Sequence, residues 1–380
     1  MTVGILTSGG DAPGMNAAVR AVFRAIKMRE PGREIVFFRD GFRGLAGRLD
    51  TATDRNVDRS AVRDIIHRGG TFIGTGRVNE LRPPADDAPD RDARLAAQQS
   101  FLRVATANLF QMGISDLLVI GGDGSFRGAT LIARSFRETF PQRSFRVIGL
   151  PATIDNDIWG SEQSIGFDTA LNNVVDAMRK IRDTVESHRR AVILEVMGNT
   201  AGWLALGAAV AGGAAHVAIP EVPESWDPDA IMRRLVAGAR RDYRYFILVV
   251  AEGVMKRAGA NWANDLRERI ESSTEIAEAW GNHMDARINS LGHIARGGSP
   301  SASDNMLAGL LGAGAADIVQ LGRAPGNPAI DGDVMIGNRG TDLVVHPLEE
   351  VVARCPRLVS RDSAAWRLCS QLMLQDEQPF

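Results

Sequence analysis

The chain has 380 residues, 44% of them hydrophobic and 24% charged, and a formal net charge of −2. That balance fits a water-soluble globular protein with room for two domains and excludes a generally basic surface for nucleic acid or anionic membranes. With only Cys355 and Cys369, and no apolar run of the roughly 18 residues a membrane span needs, the sequence predicts a cytoplasmic protein without disulfides, zinc scaffolding, signal peptide or membrane segment.

Short β-branched runs alternate with amphipathic helical patterns. The first predicted strand is VGILTS (3–8), followed by a helix over NAAVRAVFRAIKMR and a strand at EIVFF (34–38). LRPPADDAPDRDARLAAQQS, about 80–100, is polar and proline-containing and reads as a surface insertion. Strands follow at DLLVIGG (116–122) and FRVIGL (145–150), then a helix over ALNNVVDAMRKIRDTVESH, then strands at AVILEVM (191–197), HVAIP (216–220) and YFILVVAE (245–252). This alternation predicts an α/β protein whose parallel sheets are covered by helices on both faces, with ligands beyond the carboxyl ends of the strands. The last 25 or so residues read as an appended tail that the core does not need.

Three strand ends carry unusual chemistry. In SGGDAPGMNA, Gly9, Gly10 and Gly14 free the backbone to approach a ligand, and the next helix offers unsatisfied N–H donors to an anion. Alone, such a pair of glycines reads as a tight turn. DLLVIGGDGSFRGA repeats the arrangement: Gly121, Gly122, Gly124 and Gly128 surround Asp123, and Ser125 is placed to cap the next helix. In GLPATIDNDI (149–158), Asp155 and Asp157 flank Asn156; an isolated D-N-D is usually a solvated turn, yet carboxylates this close repel and call for positive charge opposite.

Taken together, the glycine turns offer amides to phosphate oxygens, while Asp123 and one aspartate of the pair offer hard oxygen ligands to Mg²⁺. The other aspartate is left to accept a proton. This is equipment for phosphoryl transfer, and the absence of GxxxxGK[ST] excludes a P-loop. Only Lys27, Lys180 and Lys256 are lysines among 44 basic residues, so arginines and backbone amides are expected to hold any anion.

TSGGDAPGMNA, RGGTFIGTGR, GGDGS, PATIDND, IGFDTAL, SHRR, EVMG, AEGV and LGHIARGGSP occur in the order seen in the phosphofructokinase family, which the sequence resembles over nearly all of residues 1–350. The resemblance implies two Rossmann-like three-layer α/β/α domains with mostly parallel sheets. The larger, nucleotide-binding domain takes 1–166 and about 295–350, the sugar-phosphate-binding domain 167–294, and a C-terminal helix or tail 351–380. It also implies ATP and fructose 6-phosphate as substrates, Mg²⁺, and a homo-oligomer, tetramer or dimer, with shared active sites.

Carried over residue by residue, Asp155 is the general base toward the sugar 1-hydroxyl, and Asp123 and Asp157 are the Mg²⁺ carboxylates. Thr153 touches the reacting groups, and Gly10 and Arg77 surround the transferring phosphate. Phe42, Val78, Gly124, Ser125 and Gly128 line the nucleotide path, with the Phe42 ring beside the adenine. Arg287, His293 and, from a neighbouring subunit, Arg190 grip the sugar 6-phosphate; Glu252 and Arg296 bind sugar hydroxyls or phosphate, and Met197 and Gly198 line the pocket.

Members of the family use ATP or pyrophosphate. Pyrophosphate users typically have aspartate where this chain has Gly124 and lysine where it has Ala152, and the absence of both charges predicts ATP. A pyrophosphate-dependent enzyme and a catalytically weak regulatory homologue are the alternatives. Asn199 stands where the family usually has arginine, which leaves three expectations: a lower rate, a substitute arginine such as Arg189, or a different sugar specificity. Arg20, Arg24, Arg59 and Arg182 match an effector site whose acidic and lysine partners are here Ala215 and Tyr243, which predicts altered allosteric control.

Overall fold

The computed structural model describes residues 2–55, 57–84, 89–329 and 331–374. Among them run eleven strands: β1 (Thr2–Ser8), β2 (Ile35–Phe38), β3 (Thr53–Asp54), β4 (Ile114–Gly121), β5 (Arg146–Pro151), β6 (Ala191–Val196), β7 (His216–Ala218), β8 (Phe246–Ala251), β9 (Ala286–Ser290), β10 (Val334–Arg339) and β11 (Asp342–Pro347). The chain divides into two compact units, one of Met1–Ile154, Ile158–Thr169 and Arg296–Cys355, the other of Asp155–Asp157, Ala170–Ala295 and Pro356–Phe380.

In the first unit the sheet order is β11-β10-β5-β4-β1-β2-β3. Only the edge pairs β2–β3 and β10–β11 are antiparallel. Every residue of β1 is buried, the mark of a strand covered on both faces, and this is why such strands read as unbroken apolar runs. Ser8 pairs with Gly121 and Gly121 with Pro151, so β1, β4 and β5 end level with one another. The helix Met15–Arg29 buries Val19, Val22, Phe23 and Ile26 and lies close to the helix Ala302–Leu321, where a Cβ on Gly312 would come within 2.7 Å of the Ala21 methyl.

The second unit has the order β7-β8-β6-β9, parallel throughout. Its core joins Phe246, Leu248 and Val250 of β8 to Trp262, Leu266 and Trp280. β6 and β8 end level, with Val196 opposite Ala251.

The polar stretch at 80–100 lies at the surface: its second half opens the helix Arg91–Gln111, where residues 91–100 are exposed or half-buried, while 85–88 lie outside the described residues. One expectation is corrected here: the C-terminal stretch is not dispensable. The helix Ala364–Leu372 buries Cys369, Leu374 joins the second unit's core, and the Leu374 amide donates to the Ala215 carbonyl at 3.0 Å. No helix among the described residues is long and apolar enough to cross a membrane.

Candidate active site

Because β1, β4 and β5 end level, the loops that follow them emerge side by side. After β1, Gly9 takes φ +92 and its N–H donates to the Gly76 carbonyl at 3.2 Å, while the Thr75 hydroxyl donates to the Gly9 carbonyl at 3.1 Å. The GTGR segment is thereby laid along the first glycine turn. Gly74 has φ +76, and a Cβ there would fall 2.2 Å from Asp40 Oδ1, so only glycine fits. Arg77 follows at once with an exposed side chain. Arg296 reaches the same turn: its Nη1 donates to the Asp11 carbonyl at 3.0 Å and would lie 2.7 Å from a Cβ on Gly10.

After β4, Gly122 is the N-cap of the helix Asp123–Thr139, with no side-chain cap. Ser125 is therefore inside the first turn rather than its cap, because the glycine backbone already makes the strand-to-helix turn. Its hydroxyl is buried without a hydrogen-bond partner among the described residues, 2.6 Å from a Cβ built on Gly121 and 3.1 Å from one on Gly9. An unsatisfied hydroxyl costs about 1–3 kcal/mol, which an anion entering between the two glycine turns would relieve.

Asp123 opens the helix, where the macrodipole favours a negative charge. Its Oδ1 accepts from the Gly124 amide at 2.6 Å and its Oδ2 from Arg127 Nη2 at 2.9 Å. A Cβ on Gly122 would lie 3.6 Å from the Thr153 Cβ, so Thr153 belongs to this corner, and Gly124 faces open space. Phe42, Val78 and Gly128 do not form an open ring-lined path. Phe42 is 2% exposed and clusters with Val78 and Leu81, while Leu81 and Phe42 would lie 3.0 and 3.3 Å from a Cβ on Gly128. Leu81 and Phe42 thus meet at Gly128 in one buried cluster.

In the acidic segment burial alternates: Ile154, Asn156 and Ile158 are buried, while Thr153, Asp155 and Asp157 are half-buried. Thr153, Asp155 and Asp157 thus fall on the less buried side of the turn, although the Asp155 Oδ1 atom is itself buried, and Asn156 takes φ +52. Arg357, which no motif singles out, holds this turn from the second unit's C-terminal stretch, its amide donating to the Asp157 carbonyl at 2.6 Å and its Nη2 to the Asn156 carbonyl at 2.7 Å.

At the carboxyl ends of β6 and β8 the Glu252 amide donates to the Val196 carbonyl at 2.9 Å and the Gly253 amide to the Gly198 carbonyl at 3.0 Å. This gathers Met197, Gly198 and Glu252. Glu195 nearby has its carboxyl held above the usual range, first by burial and then by the Glu252 charge, against a hydrogen bond from Ser290. His293 is exposed on the short helix Gly292–Arg296 after β9.

Arg190 and Arg287 are brought together by a residue that sequence reasoning missed. One oxygen, Asp285 Oδ2, lies 2.6 Å from Arg190 Nε in an ion pair and accepts a hydrogen bond from Arg287 Nη2 at 3.0 Å. The cation beside Asn199 is Lys256, whose ammonium donates to Asn199 Oδ1. Arg189 is occupied elsewhere, with its guanidinium 4.9 Å from the centre of the Trp280 ring, so it does not make good the missing arginine. Of the effector-site arginines, Arg20 has its pKa lowered first by burial and then by Arg24, against the pull of Asp64, while the Arg182 guanidinium donates to the Gly212 carbonyl.

The phosphofructokinase family model matches residues 2–319. The chain belongs to the phosphofructokinase family. It is 40% identical over 354 residues to the ATP-dependent 6-phosphofructokinase of Natranaerobius thermophilus, covering 93% of this chain and 94% of that one. It is 39% identical over 372 residues to the enzyme of the same name from Shouchella clausii, covering 98% and 99%. A phosphofructokinase structure from Saccharomyces cerevisiae matches with a TM-score of 0.75 at 32% identity, over 93% of this chain; this chain spans only 45% of the yeast chain.

In this phosphofructokinase-family chain no three His, Cys, Asp or Glu side chains gather as a metal centre among the described residues. Mg²⁺ needs no such cage where substrate phosphates and water complete its shell around one or two carboxylates. Asp123 suits that role: its side chain is 39% exposed, and each oxygen, though it accepts one hydrogen bond, keeps a further lone pair.

Proposed function

We propose that the protein is an ATP-dependent 6-phosphofructokinase, transferring the γ-phosphate of ATP to the 1-hydroxyl of fructose 6-phosphate to give fructose 1,6-bisphosphate and ADP in glycolysis. The observation that carries the reading is an intact Arg77, Asp123, Asp155 and Asp157 set in a chain 40% identical, over 93% of its length, to a relative of that name. Asp155 takes the proton of the attacking hydroxyl, and Arg77 with the Gly10 backbone meets the charge that develops on the moving phosphoryl group. Thr153 orients the acceptor. Mg²⁺ would be held by Asp123 and Asp157 and would supply charge neutralisation at the phosphates.

Arg287 and His293, with Arg190 from a neighbouring subunit, hold the sugar 6-phosphate, and within each chain the shared Asp285 oxygen restrains both guanidiniums. Glu252 and Arg296 take sugar hydroxyls or phosphate, beside Met197 and Gly198. The open space at Gly124 and the buried, uncharged Ala152 support ATP as donor, since neither position repels an α-phosphate nor draws in pyrophosphate. The reading extends to a cytoplasmic homo-oligomer in which Arg190 serves a neighbouring site.

A coupled assay with fructose 6-phosphate, Mg²⁺ and either ATP or pyrophosphate tests the reading. ATP is expected to support turnover, and turnover with pyrophosphate alone overturns the donor. Asp155→Ser is expected to lower kcat at least about a hundredfold with substrate binding largely kept. An unchanged kcat would remove Asp155 from the chemistry.

A further inference from the structure

We infer that Arg357 is a positioning residue for the acidic loop Asp155–Asp157 and that the C-terminal segment serves the second unit as that loop's clamp. The inference rests on the reading of Asp155 and Asp157 given above.

The geometry begins at two carbonyls. The Arg357 amide donates to the Asp157 carbonyl at 2.6 Å, and its Nη2 donates to the Asn156 carbonyl at 2.7 Å. These carbonyls belong to the two consecutive peptide planes that bracket Asp157. Fixing both planes fixes the backbone of Asp157 and, one residue upstream, the turn that aims Asp155. Asn156 sits at φ +52, a conformation that persists in a non-glycine residue when its surroundings over-determine it. It is also only 6% exposed, so its carbonyl has little water to replace a lost donor.

Arg357 is itself held from behind. Trp203 Nε1 donates to the Arg357 carbonyl at 2.8 Å, and the guanidinium carbon lies 4.9 Å from the centre of the same indole. Two residues on, the Val359 amide donates to Glu221 Oε1 at 2.9 Å, and that oxygen also accepts from the Gly202 amide at 2.9 Å. A continuous path of bonds thus runs from the acidic turn through Arg357 and Val359 to Gly202 and Trp203, at the start of the helix Trp203–Gly212. The planar guanidinium suits this place because it stacks on the indole while donating in its own plane; a lysine ammonium offers a donor without the plate. Arg357 lies beyond the 2–319 stretch that carries the family match.

The test compares Arg357→Ala and Arg357→Lys with the wild type in the coupled ATP assay. Arg357→Ala leaves the backbone bond to Asp157 and removes the side-chain bond to Asn156. It is expected to lower kcat by about ten- to a hundredfold, the scale of a catalytic group displaced by about 1 Å. The KM values for ATP and fructose 6-phosphate should change little, and ethylguanidinium in the millimolar range should restore part of the lost kcat. Arg357→Lys should fall between the two, and it keeps the test open where the alanine variant does not fold. A kcat for Arg357→Ala within about twofold of wild type, below 1 kcal/mol of barrier, overturns the inference. So does a loss of kcat that ethylguanidinium leaves untouched. Asp155→Ser separates the two levels: if it is inactive while Arg357→Ala is normal, only the clamp fails; if Asp155→Ser turns over normally, the reading of the loop fails first.

Discussion

Gly124→Asp tests the donor and separates charge from folding. Gly124 is the second residue of the helix Asp123–Thr139, and nothing lies within 4 Å of a Cβ built on it. An aspartate there meets no steric resistance, and a carboxylate in a first helical turn gains about 0.3–1 kcal/mol from the helix dipole. The melting temperature should therefore hold or rise slightly. The nucleotide is affected differently, because the new carboxylate faces the phosphates proposed to lie at this turn. One like-charge pair about 4 Å apart costs about 4 kcal/mol at an effective dielectric of 20. Arg127 already neutralises Asp123 from 2.9 Å and would share itself with the new acid, which leaves about 2–3 kcal/mol. The expected result is a loss of roughly 30- to 150-fold in kcat/KM for ATP. The assay is coupled NADH oxidation over a range of ATP at saturating fructose 6-phosphate, alongside thermal melting. A kcat/KM for ATP within about threefold of wild type, under 1 kcal/mol, would refute the placement of the nucleotide phosphates at this turn.

Asp285→Asn keeps the shape of the residue that unites Arg190 and Arg287 but removes its charge. The guanidiniums then repel without a common counter-ion, so KM for fructose 6-phosphate should rise about tenfold, roughly one charge-assisted hydrogen bond, with kcat nearly unchanged. Saturation curves for fructose 6-phosphate measure this, and an unchanged KM refutes it. His216 predicts an acid sensitivity: it is fully buried, its Nε2 meets the Ser225 carbonyl at 2.6 Å and Arg234 Nη1 meets its Nδ1 at 2.9 Å. Its pKa is lowered from 6.5 to about 4, first by burial and then by Arg234, so on acidification the unfolded chain takes up the proton first. The stability this neutral imidazole contributes is complete above 6.5 and is lost as pH falls toward about 4, about 1.4 kcal/mol per pH unit. Urea midpoints at pH 7 and pH 5 should fall less for His216→Gln than for the wild type; equal losses refute the assignment.

The strands legible in the sequence are those buried on both faces. VGILTS, DLLVIGG, AVILEVM and YFILVVAE each become a strand displaced by no more than two residues at either end, because burial on two sides leaves only apolar residues. β9 and β11 escape the same reading because they are largely exposed, unlike the equally edge-placed but buried β7: ARINS buries only Ala286, and no residue of DLVVHP is fully buried. β10 is a central strand yet is also missed. Its apolar run is interrupted by Gly337, where a Cβ would fall 2.8 Å from the Gly160 carbonyl, so close packing itself dictates the residue that hides the strand.

The candidate site divides along the same line. Glycine turns and the D-N-D pair are local signals, legible because their chemistry needs neighbours in sequence. Asp285 becomes visible only once β9 is known to lie beside β6: Ala191 pairs with Ala286 in parallel register, which sets Arg190 against Asp285, the residue before each. An edge strand that the apolar pattern does not mark therefore hides the counter-ion of two phosphate-binding candidates. Arg357 is hidden in a similar way, since a stretch taken for a dispensable tail is not searched for a donor to a turn two hundred residues upstream. Lys256 is a third case: one of only three lysines in the chain, it meets Asn199 because β6 and β8 end level, and no spacing in the sequence announces that contact. Residues that carry the chemistry are recognisable by what surrounds them in the chain, whereas those that hold them in place are chosen by strand order and register, and only the fold reveals them.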